Sequence, residues 1–181
     1  MKFQKITSFI IVIFILNACA TYKTQYNTVA QNDYPNKEIA HSFYLIGDAG
    51  ISGIPESSET INAFKTELSK ASKNSTVVFL GDNIYPKGLP KKEDEGRALA
   101  ESQLNAQINS VKDFKGKTVF IPGNHDWYSG GLKGLKRQEK YIEDALGKNT
   151  FLPENGCPIE KVDVAKNIVL IVVDSEWYMT N

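Results

Sequence analysis

The chain has 181 residues, 41% of them apolar and 23% charged, with 21 basic and 21 acidic side chains. That is a globular composition, long enough for one domain with its own core. The balanced charge excludes nucleic-acid binding driven by bulk positive charge.

Lys2 and Lys5 precede a continuously apolar run from Phe9 to Leu16. The run is well short of the ~20 residues that a membrane-spanning helix needs, so it reads as an export leader. Leu16-Asn17-Ala18-Cys19 is similar to a bacterial lipobox, in which the Cys becomes the lipidated first residue of the mature protein. The expectation is a leader over 1–18, lipidation at Cys19 and a lipid-anchored protein of the bacterial cell envelope, on the periplasmic or outer-membrane face. A plain secretory leader is the alternative. Residues 19–40 are polar and lack core periodicity, as expected of a flexible tether. Cys157, in the turn-like Asn155-Gly156-Cys157-Pro158, is expected to be a semi-buried spectator.

The domain proper is expected over 41–181. Strands are predicted at about 42–47, 76–81 and 117–122, each an apolar run closed by Gly. Helices are predicted over 58–72, with Ser58 as cap and Ile61, Phe64, Leu68 and Ala71 inward, then over 95–111 and 135–146. The Lys/Glu/Asp run after Pro86 reads as a solvated loop. Two short strands, 160–164 and 167–173, follow. Ile168–Val173 is apolar throughout, which predicts a central strand buried on both faces. Asp174-Ser175-Glu176-Trp177 looks like another strand-end loop, so the segment reads as the N-terminal part of a larger domain. Alternating strands and helices predict an α/β sandwich with mixed, partly parallel sheets and flanking helices, incomplete at its C-terminus.

Three strand ends carry the chemistry: Gly47-Asp48-Ala49-Gly50, Gly81-Asp82-Asn83-Ile84-Tyr85 and Gly123-Asn124-His125-Asp126. In open α/β sheets, sites form beyond the carboxyl ends of strands. Hard oxygen donors and one imidazole suit two cations of a phosphoester hydrolase, with a carboxylate, Asp82 here, as bridge. The bland alternative for any one of these is an ordinary turn dipeptide.

Together the motifs resemble the calcineurin-like metallophosphoesterases, and more narrowly their purple acid phosphatase branch. That branch has Asp-x-Gly, Gly-Asp-x-x-Tyr and Gly-Asn-His-Asp/Glu. The resemblance implies hydrolysis of phosphoesters by a metal-bound hydroxide, with Asp48, Asp82, Tyr85 and Asn124 as metal ligands. Gly50 stands where much of the superfamily has a His ligand, and Tyr85 compensates. A phenol has a pKa near ~10 and ligates as phenolate only to a strong Lewis acid. The resemblance therefore implies Fe³⁺ beside a divalent ion (Fe, Zn or Mn). It implies that His125 contacts the phosphoryl group or protonates the leaving group, with Asp126 orienting it; a backbone-capping role for Asp126 is the alternative. Tyr85 as a packing aromatic, and Trp127 and Tyr128 as pocket floor or as packing, also stay open. His41 reads as a surface His.

The family completes its metals with later His residues, and this chain has no His after His125. The expected partners are thus a phosphorylated small or macromolecular substrate, the membrane, and a further C-terminal segment that completes the site. A non-catalytic lipid-anchored protein that keeps the scaffold is the rival reading. A Gly-Asp-Ser esterase is excluded, because Ala49 and Asn83 follow the two aspartates. A helical His-Asp phosphohydrolase is excluded because His125-Asp126 follows a strand.

Overall fold

Ser75-Thr76-Val77-Val78-Phe79 is buried at every position, which makes it the centre of the sheet. The computed structural model describes residues 38–51 and 58–180. The expected leader, Cys19, nearly all of the tether and the loop with Gly53 and Pro55 lie outside them. In chain order the elements are β1 (Ser42–Ile46), a 3-10 turn (Ala49–Ile51), α1 (Glu59–Leu68), β2 (Ser75–Phe79), α2 (Arg97–Val111), β3 (Lys117–Phe120), α3 (Asn124–Trp127), α4 (Leu132–Leu146), a 3-10 turn (Glu154–Gly156), β4 (Ile159–Ala165), β5 (Ile168–Val173) and α5 (Ser175–Thr180).

β1, β2 and β3 form a parallel sheet in that order, and β4 and β5 form an antiparallel pair. Parallel strands need crossovers, and α1 and α2 provide them. Ser58 caps α1 by accepting from Ile61 N at 3.3 Å, as its sequence predicts. Val77, Phe79 and Phe120 face the helices and meet Ile61, Leu104, Ile108, Leu135 and Ile142. Phe79 and Phe120 stack with centroids 4.1 Å apart, an arrangement that adds to the area they bury.

The opposite face carries Val78 and Val119, which pack against Leu152 and Val172. Here the expectation for Ile168–Val173 is corrected. β5 pairs only with β4 among the described strands, and its residues alternate: Val172 is 4% exposed, Val169, Ile171 and Val173 are 44%, 62% and 51%. A period of two decides, because one face lies on the parallel sheet and the other lies open. Leu45 lies in register with buried Val78, yet is 58% exposed, because the β4–β5 pair covers β2 and β3 and leaves β1 bare. Among the described residues no helix is long and apolar enough to cross a membrane.

Candidate metal centre

The ladder between β1 and β2 continues past the strand ends. Asp48 N donates to Gly81 O at 3.3 Å and Gly50 N to Asp82 O at 3.0 Å. Both aspartates take left-handed backbone conformations, φ 54° and 51°, tolerable for Asp because its short polar side chain bonds locally. Gly50 is required by space: a Cβ there would stand 2.4 Å from the Asn83 carbonyl carbon.

The two carboxylates converge on one phenol. Tyr85 hydroxyl shares its proton between Asp48 Oδ1 at 2.7 Å and Asp82 Oδ2 at 2.8 Å. Asp82 Oδ1 accepts from His125 N at 3.1 Å. The bonds to Asp48 first and Asp82 second hold the phenol proton in place and raise the Tyr85 pKa above its ordinary value. Gln103 and Gln107 support the turn from α2: Gln103 Oε1 accepts from Tyr85 N at 3.2 Å, and Gln107 Nε2 donates to Asn83 O at 2.7 Å.

The third turn begins α3. Asn124 lies on the same cleft as Asp48 and Asp82, and its Nδ2 donates to Tyr128 hydroxyl at 2.6 Å. His125 lies between Tyr85, with centroids 4.3 Å apart, and Tyr128, at 5.1 Å, both rings tilted against it. Its Nδ1 lies 2.8 Å from Pro86 O. A carbonyl only accepts, so Nδ1 carries a proton and Nε2 is the nitrogen left for exchange.

Asp126 does not orient His125. Successive residues of a helical turn point about 100° apart, and this carboxylate turns into the core while the imidazole turns out. Asp126 is fully buried and accepts from Gly123 N (2.8 Å), Gln138 Nε2 (3.0 Å), Asn83 N (3.1 Å) and Asn83 Nδ2 (3.1 Å). Its alternative reading, a backbone cap, is the one seen. Burial pushes its carboxyl up to about 6 against those N–H bonds, which pull it down. It ties the second turn to the third.

A cleft of 480 Å³ opens beside these turns. Its lining includes Asp48, Asp82, Asn124 and Tyr128, and also Asp174 and Glu176, which sequence reasoning left as a strand-end loop. Asp174 accepts from Trp127 Nε1 at 3.0 Å and caps α5 through Glu176 N and Trp177 N. The signal for it was present: a carboxylate directly after an apolar strand, like Asp48 and Asp82. Trp127 is therefore buried packing, while Tyr128 is exposed at the cleft. Tyr85 and His125 are not part of that lining. Cys157 is exposed, not semi-buried as expected. His41, partly buried, pairs its Nε2 with Thr76 Oγ1 at 2.9 Å.

Among the described residues no group of three His, Cys, Asp or Glu is placed to hold a metal ion. The donors that do converge are two carboxylates, a phenol and an amide. That all-oxygen set fits a hard cation between Asp48 and Asp82, and the lining of the cleft holds no Lys or Arg to compete with one. A second cation would have fewer donors, Asp82 and Asn124. Known families bear on this arrangement directly: the family model described as calcineurin-like phosphoesterase matches residues 41–171. No curated protein and no solved structure matches the chain.

Proposed function

The chain belongs to the calcineurin-like phosphoesterase family, and from that premise we propose that it hydrolyses phosphoesters with two metal ions in the manner of the purple acid phosphatase branch. The family's chemistry is phosphoester hydrolysis, and its members typically bind two metal ions. The observation that carries the narrower reading is the meeting of Asp48 and Asp82, from two parallel strands, at the hydroxyl of Tyr85. In an acidic cleft a phosphate dianion is repelled; bound cations reverse that sign.

In this reading Asp48, Asp82 and Tyr85 would hold one cation, and Asp82 and Asn124 would contribute to the second. When bound, the pair supplies Lewis-acid activation of water and neutralises charge developing at phosphorus. The residues do the rest. Asp82 would serve both cations, its carboxylate oriented by the Tyr85 hydroxyl on Oδ2 and by His125 N on Oδ1. His125, anchored through Nδ1 on Pro86 O, would give the leaving oxygen a proton from Nε2 when the ring carries both protons, and return to the neutral Nδ1–H form. The Tyr85 phenol must lose the proton it shares with the two aspartates before it can ligate, which favours Fe³⁺ at that position over a divalent ion. Further donors beyond these four are needed to hold both cations firmly. Lipid anchoring through Cys19 places the site at the bacterial envelope in the same proposal.

The experiment is cation uptake and aryl-phosphate turnover by wild type and Asp82→Asn. Loss of both is expected; unchanged turnover rejects the site. Reconstitution with iron should give a visible phenolate-to-iron absorption band that Tyr85→Phe removes.

A further inference from the structure

The geometry points to Tyr128 as a positioning residue that fixes the Asn124 amide and the His125 ring together; the assignment rests on the two-metal reading above. Asn124 opens the short helix α3 and Tyr128 follows four residues later as its C-terminal cap residue. That spacing puts the two side chains on one face of the turn. Asn124 Nδ2 donates to the Tyr128 hydroxyl at 2.6 Å. The amide has two ends. Holding its nitrogen on Tyr128 leaves Oδ1, the only end able to ligate a cation, for the cleft that Asn124 lines.

The same ring abuts His125 with centroids 5.1 Å apart, and His125 in turn lies 4.3 Å from Tyr85. Tyr85 reaches Asp48 and Asp82. Three rings thus run in series from the Asn124 amide at one end to the paired carboxylates at the other. Tyr128 itself is 52% exposed, whereas adjacent Trp127 is 5% exposed and supplies the packing at this point. Tyr128 therefore contributes little to the core. Its contacts are with the candidate ligand and the candidate acid.

Tyr128→Phe keeps the ring and removes the hydroxyl. In a Mn²⁺ titration of the full chain, followed by electron paramagnetic resonance, this variant should bind the weaker class of cation about 10-fold less tightly, a loss typical of partners that orient a ligand. Its Tm should match wild type. In an Asn124→Ala background the same substitution should cost nothing further, because the effect passes through the amide. An unchanged Mn²⁺ affinity in Tyr128→Phe, or a second full loss in the double variant, overturns the assignment. A cation-free readout separates this from the two-metal reading. The Asn124 side-chain NH₂ should exchange slowly with solvent in wild type and rapidly in Tyr128→Phe. If wild type takes up no Mn²⁺, the two-metal reading falls, and equal exchange in both proteins also removes the role of Tyr128.

Discussion

Asp82 stands where the contacts of the site cross. Tyr85 and His125 each occupy one of its oxygens, and Gly123 lies so close that an alanine Cβ would stand 2.2 Å from Asp82 Oδ1 and 2.4 Å from its backbone N. Gly123→Ala must therefore push the turn or the carboxylate aside. We expect a loss of about 1–3 kcal/mol in urea unfolding, as for other overpacked sites, together with weakened cation uptake. His125→Ala removes a proton donor and leaves the oxygen donors in place. Turnover should fall about 10²–10⁴-fold while metal content by elemental analysis stays level; equal losses of both would make His125 a ligand. These residues were legible in the sequence because each sits in a Gly-bracketed turn after an apolar strand. The capping role of Asp126 was legible only as the alternative to orienting His125, and adjacency in sequence does not put two side chains on one side of a helical turn.

Among the elements, α2, α4 and the start of α5 hold the turns from behind. Gln103 and Gln107 on α2 and Gln138 on α4 bond to the loop of Asp82 and to Asp126. Nothing in a helical hydrophobic pattern marks a buried Gln as a support, so sequence reasoning passed over all three. Asp126→Ala would leave the N–H groups of Gly123 and Asn83 buried and unpaired. The expected cost is about 2–4 kcal/mol by chemical denaturation, since unsatisfied buried donors carry their full desolvation penalty. Asp174 predicts a pH effect. Burial holds its carboxyl above the ordinary range, against the bonds from Trp177 N and Trp127 Nε1. A group with a raised folded pKa stabilises most below its unfolded value and loses that contribution as pH rises through the folded one. Wild type should therefore lose ground in Tm against Asp174→Asn as pH is raised from about 4 toward neutrality; a difference that does not vary with pH would reject the assigned environment.

At the scale of the whole molecule, the parallel sheet and its helical face followed from alternation of apolar strands with helical repeats. The other face did not. A continuously apolar strand reads as buried on both sides, but the sequence does not say which neighbours are present to bury it. The described chain leaves Phe43, Leu45, Val169, Ile171 and Val173 exposed on or beside unpaired strand edges. Such edges and patches favour association. Leu45→Lys combined with Ile171→Lys should reduce concentration-dependent self-association in sedimentation velocity without lowering Tm, because neither side chain is in the core.

The paired amides beyond β1 and β2 carry one last consequence. Asp48 N is held by Gly81 O, and Gly50 N by Asp82 O, so the two aspartates are stitched together through their backbones as well as through a phenol. Neither backbone turn can open singly. Local opening would then part the tips of both strands in concert, and the deuterium uptake of residues 48 and 50 should rise as a single kinetic event.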